Sequence, residues 1–364
     1  MSCVYRNIYL ESDEFYQICL HLLSCIQVPL HILGTFIILK KTPKTMGRVK
    51  GSMLTLHLLT AWLDILLTVF LVPVVFFAVF AGYPLGLFVY LGVPTKAMIY
   101  SVYFPIFFLM VSIVCFFENR YNYLVRHDSD TPSRKKKRSI LYFFNYFQTL
   151  ICVTILFSGG GANDPRLIAH QTLPCLTPEV LENPNFFTLE VGGRGANDSR
   201  LIVHQKLPCL PQKILENPNF FMLEVDLRYL ISSAGFYGGV VCGQIVYYFS
   251  ATSYYLFRTK AQSSRTSQLQ KKFFKTLCVQ ITIPICCFMV PGAYFVYTYF
   301  WESLDMPLNI LGMIAASSHG LVSTLIMLLA HKPYREATLE CFGMRMNART
   351  VSIVVAKPSI SNVK

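Results

Sequence analysis

Apolar residues gather in seven long runs, near positions 16–39, 53–80, 96–117, 139–157, 227–249, 273–299 and 306–330. About 20 such residues in helical form cross the hydrocarbon core of a bilayer. Helices are the expected form, because a backbone in lipid must satisfy its hydrogen bonds within its own segment. Pro29, Pro73, Pro105, Pro284 and Pro291 fall inside the runs, where neighbouring helices tolerate the kinks they make. The pattern predicts an all-α membrane protein built as a bundle of seven transmembrane helices.

Composition agrees with the pattern. The chain of 364 residues is 54% hydrophobic and only 14% charged, against about 25% charged in soluble domains. A soluble domain could not hide that much apolar surface behind so few charges.

The basic residues are one-sided. The connections after the first, third and fifth runs, together with the tail, carry 24 of the 32 Lys and Arg, including the run Arg134-Lys135-Lys136-Lys137-Arg138. Such residues collect on the cytoplasmic side. The N-terminus (1–15) is therefore expected outside and the tail (331–364) inside, with the first helix acting as its own insertion signal. The net charge of +13 then belongs to topology and to contact with anionic inner-leaflet lipid, and no nucleic-acid partner is expected.

The connection between the fourth and fifth runs, 158–226, holds a tandem repeat. Residues 159–191 and 193–225 are identical at 24 of 33 positions. Its Asn183-Pro184 and Asn217-Pro218 pairs are turn formers, so it is a loop and not a helical array. It falls on the outer side, where Asn197-Asp198-Ser199 is a glycosylation acceptor at Asn197. His170 and Cys175 recur as His204 and Cys209. Zinc takes such ligands, yet the spacing is not that of a tight pair and a duplication copies whatever it contains. No metal or cofactor is expected. A disulfide among Cys3, Cys175 and Cys209 suits an oxidising side, with one of the three left over and the pairing open.

Inside the runs, Asp64 is the one deeply placed acid, and an ionisable residue at that depth is a functional hypothesis. His21, His31, His57 and His319 read as helix-to-helix hydrogen-bonding groups. Tyr247, Tyr248, Tyr254, Tyr255, Phe273 and Phe274 read as core and interface belt. Beyond residue 331 a short amphipathic stretch is expected to lie along the membrane as an eighth helix, with Cys341 a candidate for palmitoylation.

Several stretches together carry a family resemblance: KTPKTMGRVKGSMLTLHLL at 41–59, AGYPLG at 81–86 with GVPT at 92–95, FENRY at 117–121, KLPCLPQKILENPNFFMLEVD at 206–226, LQKKFFKTLCVQITIPICC at 269–287 and HGLVSTLIMLLAHKPYR at 319–335. In this order they resemble the nematode serpentine receptors of class H, over roughly residues 15 to 340. The resemblance implies a G-protein-coupled chemoreceptor in the plasma membrane of a sensory neuron, at its cilium. A small odorant-like ligand would arrive from outside and a heterotrimeric G protein would dock inside. That family has one copy of the outer-loop segment, so the repeat reads as a tandem duplication, by exon duplication or by joining of two alternative exons.

Two further likenesses are to rhodopsin-like receptors. Glu118-Asn119-Arg120-Tyr121 resembles the acid-Arg-Tyr end of their third helix, with Asn inserted, and implies an acid that holds Arg120 until activation. Asp64 and Pro73 resemble the Asp and Pro of their second helix, where the Asp links helices 2, 3 and 7; the resemblance implies Ser112, Ser317 and Ser318 as candidate partners of Asp64 here. Other classes fit less well. An inverted ligand-gated cation channel contradicts the Lys and Arg distribution. A transporter would repeat helices, whereas only a loop repeats here. An enzyme is not expected, since no pair of intramembrane acids, His-Glu metal motif or nucleophile elbow is present.

Overall fold

The computed structural model describes residues 2–4, 6, 8–43, 47–76, 81–158, 187–188, 221–222, 227–258, 264–301 and 303–343. The long helices are α1 (Asp13–Lys41), α2 (Gly47–Ile65), α3 (Thr95–Leu124), α4 (Pro132–Ser158), α5 (Leu227–Arg258) and α6 (Ser264–Trp301). The last apolar run is split into α7 (Met306–Ser317) and α8 (His319–Ala330), and a short α9 (Lys332–Cys341) follows. By length and composition, Asp13–Lys41, Gly47–Phe70, Ala97–Leu124 and Met306–Ala330 can each cross a membrane. Helices α4, α5 and α6 have 27, 32 and 38 residues, longer than the roughly 20 that a bilayer core requires.

Local chemistry sets the helix ends. The Ser12 hydroxyl accepts from the Phe15 amide at 3.1 Å and caps α1. Asp13 and Glu14 lie in its first turn and Lys40 and Lys41 in its last, which complements the helix dipole. The second run differs from its expected span of 53–80. Its helix loosens into a wide turn at Leu66–Phe70 and stops. Val72 takes a positive φ of 45°, and the chain continues as strand β2 (Pro73–Phe76). Pro73 lacks an amide proton and disfavours helical geometry in the residue before it. The Val-Val-Phe that follows suits a strand. Gly86 returns so close that a Cβ there would lie 2.4 Å from the Phe70 carbonyl oxygen.

Strand β2 forms a hairpin with β3 (Ala81–Pro84). The two repeat copies then extend this sheet. Strand β4 (Phe187–Thr188) comes from the first copy and β5 (Phe221–Met222) from the second, and the order is β2-β3-β5-β4. Phe187 stands opposite Phe221 and Thr188 opposite Met222, in parallel. The copies therefore pair at equivalent positions, and the second copy sits next to the hairpin. The remaining strands, β1 (Ser2–Val4) and β6 (Ser303–Asp305), pair in parallel and tie the N-terminus to the α6–α7 connection. Beside them Tyr16, Leu20, Phe76, Tyr83, Leu304 and Met306 form an apolar cluster.

Helix α3 packs against α2, α4 and α5, while α1 packs against α2, α7 and α8. Helix α6 lies chiefly on α7 and α8 and only lightly on α5. The main core joins Ile37, Met53, Leu63, Phe117, Leu256 and Met327 across this arrangement. Outer faces carry exposed Ile32, Trp62, Phe143 and Phe236, as expected where lipid is the solvent.

Candidate functional site

Asp64 has no solvent exposure. His31 of α1 reaches it, Nε2 to Oδ2, at 3.0 Å. His319, which opens α8, places Nδ1 3.1 Å from Oδ1, and the Gly320 amide donates to the same oxygen at 3.2 Å. A Cβ on Gly320 would lie 2.3 Å from Oδ2, so only glycine permits this approach. The break between α7 and α8 is what supplies the free amide, because the first amides of a helix have no partner within it.

A second layer holds the histidines. Thr324 Oγ1 lies 3.1 Å from His31 Nδ1, and His57 Nε2 lies 3.1 Å from the His31 carbonyl. Gln27 donates to the Ser317 carbonyl at 2.7 Å. With Nε2–H given to Asp64, His31 Nδ1 accepts from Thr324, and every hydrogen bond in this chain has a consistent direction.

The serines expected around Asp64 are elsewhere. Ser112 faces Tyr146 at 3.4 Å. Ser318 donates to the Ala315 carbonyl at 2.7 Å. Ser317 contributes its carbonyl, to Gln27, and its buried hydroxyl has no partner among the described residues. Asp64 thus joins α1, α2 and α8, and α3 takes no part in these bonds. Histidine readings came closer: His31, His57 and His319 do bond between or within helices at the node, while His21 is exposed.

At the far end of α3, four consecutive side chains point to four neighbours, as an advance of about 100° per residue requires. Glu118 has no exposure and turns to α4. There it accepts from Arg134 Nη2 at 3.0 Å and Arg138 Nε at 2.9 Å, and from the Tyr142 hydroxyl. Asn119 turns to α2, donating to the Arg48 carbonyl at 3.1 Å. Arg120 turns towards the α8–α9 junction. Burial pushes His331 there down to about 4, and the Arg120 charge acts in the same direction. Tyr121 turns to α5, its ring 5.4 Å from that of Tyr248. The expected pairing of Glu118 with Arg120 is therefore replaced by pairing with Arg134 and Arg138. Residues so close along a helix point apart, whereas the next helix brings its basic face against the acid. Arg134, Arg138 and Tyr142 recur every fourth residue, and that spacing was the available signal.

Beside Tyr121 runs an apolar groove of about 590 Å³ between α3 and α5, lined in part by Tyr247, Tyr254 and Tyr255. Helix α9 is held to α1 by Tyr334 and Thr42, whose hydroxyls lie 3.0 Å apart, and by a Lys41–Glu340 ion pair at 3.0 Å. Cys341 is an exposed free thiol at its end. Cys175, Cys209, Asn197 and the side chain of Cys3 lie outside the described residues.

A buried acid joining three membrane helices, a charged clamp at the end of α3 and an apolar bundle define a multi-pass membrane protein of the seven-helix, G-protein-coupled-receptor-like class. The family model described as "Serpentine type 7TM GPCR chemoreceptor Srh" matches residues 11–196 and 194–344. The chain belongs to this serpentine receptor class H family. The two matched stretches meet at the junction of the repeat copies, each stretch taking one copy. A curated relative, "Serpentine receptor class H-72" of Caenorhabditis elegans, is 24% identical over 330 residues, covering 90% of this chain and 85% of the relative. The family is one of receptors, not of enzymes.

Proposed function

We propose that the chain is a chemosensory receptor that binds a small odorant-like molecule from outside and signals through a heterotrimeric G protein. Its N-terminus faces outward, and it acts in the plasma membrane of a sensory neuron, at the cilium. Membership of the class H chemoreceptors over nearly the whole chain carries this reading. The packing supports it. Helix α6 leans on α7 and α8 and only lightly on α5, so a ligand that shifts α6 relative to α5 crosses a thin interface, where the core side chains Leu256, Phe274 and Ile281 repack. Such two-state movement is how a ligand acts at a distance.

In this reading Glu118 locks α3 to α4 in the resting state. Arg120 and Tyr121 form part of the surface offered to the G protein, and the Asp64 node transmits the change between α1, α2 and α8. Asn197 carries a glycan, Cys341 carries a palmitoyl chain, and one disulfide forms among Cys3, Cys175 and Cys209.

The test uses tags at the N-terminus and in the 158–226 loop, stained on intact and permeabilised cells, followed by G-protein assays. The reading expects both tags on intact cells, loss of signalling in Arg120→Ala and raised basal signalling in Glu118→Gln. Tags seen only after permeabilisation, on protein shown to reach the surface, would overturn it and favour the inverted channel.

A further inference from the structure

The geometry points to a binding site for the phosphate headgroup of an anionic membrane lipid, in a cleft between α2 and α4 floored by α3. Its volume is about 350 Å³. Three helices each turn a polar stripe into it. Arg48, Ser52 and Thr55 follow one face of α2; Ser112 and Asn119 follow one face of α3; Arg138, Tyr142 and Tyr146 follow one face of α4. Side chains three, four and seven positions apart share a helix face. Most of these groups already bond the backbone or one another, Ser52 to the Val49 carbonyl, Ser112 to Tyr146 and Asn119 to the Arg48 carbonyl, so the cleft offers a continuous polar surface that lipid tails match poorly and a headgroup matches well.

The charge in the cleft is positive and partly uncommitted. Arg48 is 63% exposed; its guanidinium lies over the Tyr123 ring at 4.6 Å, and its ion pair is a loose one with Asp130, at 3.7 Å and 73% exposed. Such a pair is weak and easily exchanged. Arg138 uses Nε and Nη2 on Glu118, Asn119 and Tyr142, and none of the described hydrogen bonds uses its Nη1. Two guanidinium groups with hydroxyl and amide neighbours suit a phosphate, which accepts forked hydrogen bonds.

The same stripes turn apolar as they run deeper. The α2 face continues to Trp62, 47% exposed, and the α4 face to Leu150, 46% exposed. A headgroup in the cleft would thus lay its acyl chains along ring and aliphatic carbon. This amphipathic path selects a lipid over a free phosphate. Basic pockets between membrane helices bind such headgroups. A bound phosphate would sit beside the Glu118–Arg138 pair and draw on the same guanidinium. The helix arrangement alone forms this cleft, whatever the direction of insertion or the signalling partner.

The experiment reconstitutes the full chain into nanodiscs of phosphatidylcholine alone, or with phosphatidylserine or phosphatidylinositol 4,5-bisphosphate added. Retained lipid is counted by native mass spectrometry and the unfolding midpoint is measured in each. The expected result is selective retention of the anionic lipid and a raised midpoint. Arg48→Gln and Thr55→Glu should each lower retention about fivefold or more, while Lys136→Gln, a control outside the cleft, should change it by less than about twofold. Midpoints in phosphatidylcholine discs report whether each variant folds, and the two cleft variants test the site independently. Equal retention in Arg48→Gln, Thr55→Glu and Lys136→Gln would overturn the proposal, since attraction would then be diffuse. A midpoint raised as much by soluble inositol trisphosphate in phosphatidylcholine discs would overturn the lipid as occupant. Because the discs have identical leaflets, neither result depends on the receptor reading.

Discussion

Removal of the Asp64 carboxylate separates its charge from its geometry. Three N–H groups converge on it, from His31, His319 and Gly320. In Asp64→Ala, His319 keeps the Ala316 carbonyl, which lies 3.0 Å from Nδ1, so two donors are stranded. A buried donor left without an acceptor costs about 1–3 kcal/mol in soluble proteins, and membrane hydrogen bonds average roughly 0.6 kcal/mol. The expected loss is about 3 kcal/mol. Asp64→Asn behaves differently. Its oxygen still accepts from Gly320 and His319. Its amide meets His31 Nε2, which becomes an acceptor when the imidazole proton moves to Nδ1 and is donated to Thr324. That exchange limits the loss to about 1 kcal/mol, the charge-assisted share of the bonds.

The assay is thermal unfolding in detergent, followed with a thiol-reactive dye whose signal rises above the background of exposed thiols such as Cys341 when buried Cys152 becomes accessible. At roughly 2–4 °C per kcal/mol for large domains, Asp64→Ala should fall by about 6–12 °C and Asp64→Asn by about 2–4 °C. Equal falls in the two variants would refute the tautomer exchange. A fall of less than about 1 °C in Asp64→Ala would remove the node as a structural link.

Glu118→Gln leaves Arg134 and Arg138, 17% and 19% exposed, without their carboxylate. Breaking a buried pair costs about 3–5 kcal/mol, and partial exposure lowers this to about 2–3 kcal/mol, readable as a lower unfolding midpoint. Deleting residues 159–192 removes one repeat unit including β4, but β5 still pairs with β3. Surface expression should therefore stay within about twofold of the full chain, because loop length costs little stability; loss of folded protein would show that the first copy supports the fold. His331 gives a pH signature. Its unfolded imidazole gains a proton near 6.5, whereas the folded one resists until about 4. Protons thus favour the unfolded chain across that window, and stability falls as pH drops through it. The midpoint difference between pH 7 and pH 4.5 should be smaller in His331→Gln than in the parent; an unchanged difference would refute it.

Much of this protein is legible in its sequence. Seven apolar runs, the membrane class, the repeat and Asp64 as an acid deep inside a run all follow from local composition, which a bilayer reads directly through length and hydropathy. Even the early end of α2 had a local cue in Pro73. What sequence could not assign was partnership. In lipid both faces of a helix are apolar, so periodicity says little about which face turns inward. Asp64 finds His31 and Gly320, 33 and 256 positions away, and not the serines, because helix rotation and adjacency decide the match. Glu118 meets α4 and not Arg120 for the same reason. The pairing of the two repeat copies was equally hidden. Their identity marked them as equivalent, but only the β2–β3 edge made the second copy a strand and the first its neighbour.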